Sequence, residues 1–283
     1  MSFAIRPILG FLISALMAAP ALANNASVTS ATSVIQAPKK DGRRWSGFIN
    51  SSYSTNMIDY EDGTRGESMD YMARFNLKLN NTFTARVQGG YAQDLKDSQN
   101  DSFSNTTFSV NRTPFALGKR LSMNYRAGLV APTSKDAQKR QNMITALTTG
   151  TTFIVNPDYL ISGLDITATL GFNRNFHQYE TALDGSVNTE YSSNQGLSFA
   201  YSFANGISLS ADFVHMNTWS YQRVMRDSFD FSQEIGYEIN PTFSVAMGHT
   251  NSGSTLKPNG TDSNIEILDE DSSIVYGSVT VVF

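Results

Sequence analysis

The chain is predicted to be all-β, a transmembrane antiparallel up-and-down β-barrel of about twelve strands, and three observations predict it. Apolar and polar residues alternate with period two from Trp45 to Phe283. The alternating segments run roughly 10 to 14 residues, enough for tilted strands to cross a bilayer. Aromatic residues gather near the segment ends, at Trp45, Tyr53, Tyr91, Phe176, Trp219, Tyr221, Phe229 and Tyr237, as an interfacial girdle requires.

Composition narrows the field before any motif is read. Of 283 residues only 16% are charged, against 40% hydrophobic and 11% aromatic, and the formal net charge is -4. A chain without cysteine has no disulfide framework, no thiolate metal site and no cysteine nucleophile. A weakly acidic balance argues against nucleic acid as a partner, because phosphates call for a basic face.

Residues 1–23 read as a secretory signal peptide: Arg6 gives the positive start, Ile8 to Ala19 the apolar run, and Ala21-Leu22-Ala23 a small-x-small cleavage site. Residues 24–44 are polar, lack any period and end in Lys39, Lys40, Arg43 and Arg44. They are expected to form a periplasmic or plug-like N-terminal segment. No later apolar run is long enough for a membrane helix, so export leaves a periplasmic protein, a secreted protein or an outer-membrane barrel.

The strands are expected in turn near 45–55, 68–80, 82–93, 102–112, 120–132 and 141–155, and then near 164–179, 187–203, 206–221, 227–240, 242–254 and 272–283. Ile207-Ser208-Leu209-Ser210-Ala211-Asp212-Phe213 shows the alternation plainly, since successive strand side chains point to opposite faces. Asn80-Asn81, Ala204-Asn205-Gly206 and Asn240-Pro241-Thr242 carry residues suited to tight turns. Longer polar loops lie near 56–67, 94–101, 133–140, 180–186 and 255–271. An even strand count puts these loops outside the cell. Ten or fourteen strands also fit, because 102–119 and 141–163 alternate weakly.

The final strand carries a resemblance. Val275, Gly277, Val279, Val281 and the terminal Phe283 occupy one face, and the chain stops on that aromatic. This resembles the C-terminal strand of Gram-negative outer-membrane β-barrel proteins of the porin-like class, and no narrower family is indicated. The resemblance implies location in the cell outer membrane, contact with its lipid and lipopolysaccharide, and Phe283 as a signal for the barrel-insertion machinery.

A charge on the lipid face costs about 2–4 kcal/mol at midplane, so charged residues are expected inside and large apolar ones outside. That sorts Met69, Tyr71, Phe75 and Leu77 outward and Arg74 and Lys78 inward, with Arg86 and Arg126 inward on neighbouring strands. The second half places Asp212, Asp230, Glu234 and Glu238 inward. These eight residues are the expected pore lining, basic on one side and acidic on the other, and such clusters set permeation preference. The expectation is a channel for small hydrophilic solutes or ions, acting without a cofactor and without catalysis. Two alternatives stand beside it: a non-conducting structural or surface-interaction barrel, and an outer-membrane lipid acyl hydrolase.

The hydrolase reading rests on His249-Thr250-Asn251-Ser252-Gly253, which vaguely resembles the His-x-Ser-Asn-Gly pattern of the outer-membrane phospholipase in a different order. Alternation puts His249 on the lipid face and Ser252 on the other, too far apart for the contact of ~2.6–3.2 Å that a base and nucleophile need. His215 is expected to face lipid and His177 the mouth, and three scattered histidines make no metal site. The acidic loop with Asp262, Glu266, Asp269, Glu270 and Asp271 fits no calcium-loop spacing. Lys135, Lys139 and Arg140 are expected to meet lipopolysaccharide phosphates.

Overall fold

Strands that are greasy on one side and polar on the other satisfy both sides at once by closing a ring. The computed structural model describes residues 43–57, 66–97, 100–257, 262–269 and 272–283, so the signal segment and nearly all of the 24–44 segment lie outside the described residues. Twelve antiparallel strands form the ring in chain order. They are β1 (Trp45–Asn56), β2 (Glu67–Lys78), β3 (Phe83–Asp94), β4 (Thr106–Arg112), β5 (Leu121–Ala131) and β6 (Met143–Val155). The second half comprises β7 (Leu164–His177), β8 (Thr189–Ser202), β9 (Ile207–Ser220), β10 (Met225–Asn240), β11 (Phe243–Ser254) and β12 (Ser273–Val282). Each strand pairs with its sequence neighbours, and β12 returns to β1.

The expected fourth strand, 102–112, is interrupted. Ser102–Phe103 pairs separately with β3, and the ring strand begins only at Thr106. The backbone carbonyl of Ser104 accepts from the Thr133 hydroxyl at 2.6 Å, and Asn105 Oδ1 accepts from the Ser134 N–H at 3.1 Å. These local bonds pull the chain toward the 132–142 loop and compete with the ladder. A second two-residue strand, Phe115–Ala116, pairs with β5 outside the ring.

The two faces are inverted relative to a water-soluble domain. Ile235 is 60% exposed while its neighbour Glu234 is 5% exposed. Ile49, Phe108, Leu129, Leu170 and Met247 are exposed, whereas Asn50, Ser109, Thr167, Asn194 and Thr250 are buried. Backbone pairing around a closed ring leaves no edge to be satisfied, which is what a hydrocarbon surround demands. Tyr71, Phe75 and Leu77 are exposed and Arg74 is buried, as alternation predicts.

One end of the barrel carries tight turns and the other longer loops. At the turn end, Asn80 Oδ1 accepts from the N–H groups of Thr82 and Phe83, both at 2.8 Å. Asn240 does the same for Thr242 and Phe243 at 2.9 and 3.0 Å, so both hairpins are closed by one Asn-x-Thr-Phe device. The ring closes at this end, where Gly47 and Phe283 exchange two backbone hydrogen bonds of 3.0 Å. A Cβ on Gly47 would stand 2.8 Å from the Phe283 ring, so only glycine lets that ring lie against β1. Trp45 flanks it at 5.9 Å and stacks on Phe75 at 6.2 Å, building an aromatic belt across the seam.

At the loop end the girdle reading needs one correction. Phe229 is only 3% exposed and is no surface belt residue. The loop between β11 and β12 folds back over the outer wall, with Asn264 and the Phe229 ring both near Gly253 and the Asn251 amide donating to the Glu266 carbonyl at 2.6 Å. The Asn264 side chain thereby lies beside this outward-facing aromatic.

Candidate functional site: the charged inner wall

Cross-strand register brings the predicted cations onto one stretch of the enclosed face. Arg74 on β2 pairs with Gln88 on β3, and its Nε donates to Gln88 Oε1 at 2.8 Å. Arg86 pairs with Asn76 and donates to its Oδ1 at 2.9 Å. The Arg74 guanidinium also covers the Phe48 ring at 4.8 Å, a cation–π contact. Arg74 and Arg86 are buried, Arg126 on β5 is half-buried, and the three are close enough to repel one another.

The acids gather on the other half of the ring. Asp212 on β9 accepts from the Ser198 hydroxyl, and Asp230 on β10 lies 3.5 Å from Thr250 Oγ1. Glu234 accepts a hydrogen bond of 3.0 Å from Tyr276 Oη on β12. That bond spans β11, where the residue between them is Gly248. A Cβ there would overlap the Tyr276 phenol and stand 2.7 Å from the Gln233 carbonyl. Lys78 and Glu238 stand exposed at the turn-end rim.

Among the described residues no carboxylate lies within 4.0 Å of Arg74, Arg86 or Arg126. Ion pairs occur at the loop end instead. Arg140 binds Asp136 and, at 2.8 Å, Asp184, and Glu190 lies 3.8 Å from Arg174 and 3.6 Å from Arg223. Arg140 thus joins its own loop to the 178–188 loop, and the Lys135 ammonium donates to the Asp101 carbonyl at 2.9 Å. The Ser186 hydroxyl and backbone N–H, followed by Arg140, hold the Asp184 carboxyl down at about 2. The paired carboxylates push Arg140 above its ordinary value, with Asp136 contributing most.

Tyr276 and Gly248 were not singled out by sequence. Alternation with Val275 and Gly277 outside already turns Tyr276 inward, but its reach to Glu234 becomes visible only once the register of three strands is known.

The histidines are dispersed. His177 Nδ1 is 3.4 Å from Tyr221 Oη, and His215 Nδ1 is 2.8 Å from Gln195 Oε1. His249 faces outward and meets Ser273, not Ser252, at 2.9 Å. Ser273 is wholly buried, its hydroxyl oxygen also accepts from the Asp269 N–H at 3.0 Å, and His249 Nδ1 has no partner among the described residues. The pair fastens the folded-back loop to the wall. In the acidic loop Glu266 pairs with Lys257 at 3.3 Å; Glu270 and Asp271 lie outside the described residues. No group of three His, Asp or Glu suited to a metal occurs among the described residues.

No known family model matches the chain, and no curated protein matches it by sequence. Solved structures do match its fold. An outer membrane channel from Pseudomonas putida F1 aligns with a TM-score of 0.58 and 13% identity, covering 84% of this chain and 95% of that one. The NanC porin aligns with a TM-score of 0.54 and 7% identity, covering 83% and 98%. At such low identity the likeness is one of architecture: this chain has the closed-barrel fold of porin-like outer-membrane channels.

Proposed function

We propose that the protein is an outer-membrane channel for small hydrophilic solutes or ions, with the inner charges as its pore lining. The observation that carries this reading is the inner wall itself. Arg74, Arg86 and Arg126 hold their charge beside neutral amides or no partner, on the half of the ring away from Asp212, Asp230 and Glu234. A barrel meant only as a scaffold gains nothing from charges left uncancelled, because burying an unpaired charge is costly. A water-filled passage solvates them, and the separated walls then put a transverse field across it. Lys78 and Glu238 extend the two signs to the turn-end rim. The channel is passive and uses no cofactor, and no residue is assigned a chemical step.

In this reading the loop end faces outward, among lipopolysaccharide, and the turn end faces the periplasm. The Phe283 ring seated on Gly47 is where the insertion machinery would meet the closing strand. The test is conductance of the refolded full chain in planar bilayers. Stepwise ion currents are expected, with Arg74→Ala shifting selectivity toward cations and Glu234→Ala toward anions. Correctly folded protein that passes no current would overturn the proposal and favour a surface-interaction barrel.

A further inference from the structure

Two connections at the turn end are longer than the tight turns, and they stand side by side. Residues 113–120 link β4 to β5 through the extra pairing of Phe115–Ala116 with Ser122 and Met123, and residues 156–163 link β6 to β7. Asn156 ties them together: its N–H donates to the Arg120 carbonyl at 2.7 Å and its side-chain amide to the Lys119 carbonyl at 3.0 Å. The joint surface projects apolar side chains. Leu117, Tyr159 and Ile161 are exposed, Ile161 by 71%.

Three cations stand among them. Phe108 and Val110 on β4 face outward, and alternation puts Arg112 on the same face. Its guanidinium lies 3.8 Å from the Phe115 ring centre and 5.4 Å from that of Tyr125, a cation–π platform on the outer wall. Lys119 and Arg120 are exposed on the adjoining hairpin, with the Arg120 guanidinium 5.7 Å from the Tyr159 ring. Among the described residues none of the three side chains lies within 4.0 Å of a carboxylate or donates a hydrogen bond. At the loop end, by contrast, Arg140, Arg174 and Arg223 all meet carboxylates. Asp158 is the one acid in the two connections. This corner of the barrel is cationic, apolar and unneutralised.

We infer that the corner binds an anionic phospholipid of the inner leaflet, of the phosphatidylglycerol class, through its headgroup phosphate. Arg112 has one face on the aromatic rings and the edge of its donor fork open, which suits a phosphate oxygen pair, and the Lys119 ammonium adds a second charge. The acyl chains then follow the outward wall past Val110 and Leu121, both exposed. Apolar residues beside cations match a molecule whose phosphate adjoins its own hydrocarbon. A zwitterionic headgroup brings its own cation and is held less firmly, because each basic residue near the surface gains from negative lipid charge. The inference rests on the channel reading only for orientation, with the turn end toward the periplasm and so at the inner leaflet.

The probes are phosphatidylglycerol and phosphatidylcholine with the same acyl chains, offered in equal amounts to the refolded full chain in micelles and read by native mass spectrometry. Phosphatidylglycerol is expected to be retained at least about fivefold better, the effect of one basic residue near the lipid charge. Arg112→Gln with Lys119→Gln should bring its retention down to the phosphatidylcholine level. Lys119→Gln alone, a change on an exposed hairpin, should remove about fivefold and keeps the test open should the double variant fail to fold. Arg223→Gln, at an exposed cation of the loop end, should leave the preference unchanged. Glycerol phosphate, which has the anion and no acyl chains, should not displace the lipid. Equal retention of the two lipids, or a preference that survives Arg112→Gln with Lys119→Gln, would overturn the inference. So would an equal loss from Arg223→Gln, or displacement by glycerol phosphate. Bilayer currents on the same preparation separate the two proposals. Conductance without the lipid preference removes the corner site and keeps the channel; the lipid preference without conductance does the reverse.

Discussion

On β2, β3 and β5 the inner wall presents Arg74, Arg86 and Arg126, with the side-chain carbonyls of Gln88 and Asn76 accepting from the first two. On β9 and β10 it presents Asp212, Asp230 and Glu234, beside the hydroxyls of Ser198, Thr250 and Tyr276. The two walls use opposite chemistry to one end. An amide oxygen suits a cation and a hydroxyl proton suits an anion, and neither partner removes the charge it stabilises. Salt bridges would have satisfied the same groups while erasing the field. The loop end shows that the chain has the means to make them, since Arg140 there holds two carboxylates. Charge is cancelled where loops are fastened and retained where a passage would run.

The strongest way to break this comparison is to neutralise one wall at a time. Arg74→Gln with Arg86→Gln should move the cation-to-anion permeability ratio several-fold upward, and Asp212→Asn with Glu234→Gln should move it downward by a similar factor. Reversal potentials across a salt gradient measure both. The difference should be larger at 0.1 M salt than at 1 M, because the screening length falls from about 10 Å to about 3 Å. Shifts of the same sign from both double variants would mean that the walls do not act as separate poles.

A smaller effect sharpens the comparison at the level of packing. Both walls lay a polar side chain over a glycine, but the surroundings differ in how far they can yield. At Gly248 a methyl group meets the Tyr276 phenol and, at 2.7 Å, the backbone carbonyl of Gln233. At Gly150 it meets Arg126 Nε at 3.0 Å, part of a flexible side chain, and the Leu170 carbonyl at 3.2 Å. Gly248→Ala should therefore cost about 1–3 kcal/mol of stability, the usual penalty for overpacking, and Gly150→Ala less than about 1 kcal/mol. Urea unfolding in micelles, followed by the heat-modifiable electrophoretic shift, ranks the two. An equal loss at both positions would remove the claim that Tyr276 is held more rigidly than Arg126.

Much of this architecture is legible in the sequence because one rule governs both faces. Phe75 beside Arg74, and Ile235 beside Glu234, announce which side meets hydrocarbon, and the cost of breaking the pattern keeps it along most of the wall. The same rule puts His249 and Ser252 on opposite faces. Alternation fails where side chains interfere with the ladder, as at Ser104 and Asn105, which bond to the 132–142 loop. It is silent on relations between strands. Tyr276 with Glu234 depends on a cross-strand register fixed by turn lengths and bulges, and no periodicity within one strand encodes that. The loop folded over Phe229 is invisible for the same reason: parity marks the ring as outward and says nothing about what covers it.

The smallest expected effect concerns the loop end, where charge is paired. Asp184 has its carboxyl held at about 2, against an ordinary value of 3.8, chiefly by the Ser186 hydroxyl and N–H and then by Arg140. A depressed carboxyl stabilises the folded loop fully above the ordinary value, and that contribution is lost as pH falls through about 2. The link between the 132–142 and 178–188 loops should thus be intact at pH 5 and weaken only in strong acid. Carbon NMR of the Asp184 carboxyl in micelles follows it directly. Ser186→Ala, which removes the hydroxyl bond and keeps the backbone N–H, takes away the largest single contribution and should raise the midpoint toward the ordinary value; Arg140→Gln should raise it as well. If Ser186→Ala produced no rise, the hydroxyl would not hold the carboxyl, and pairing with Arg140 would dominate at this end.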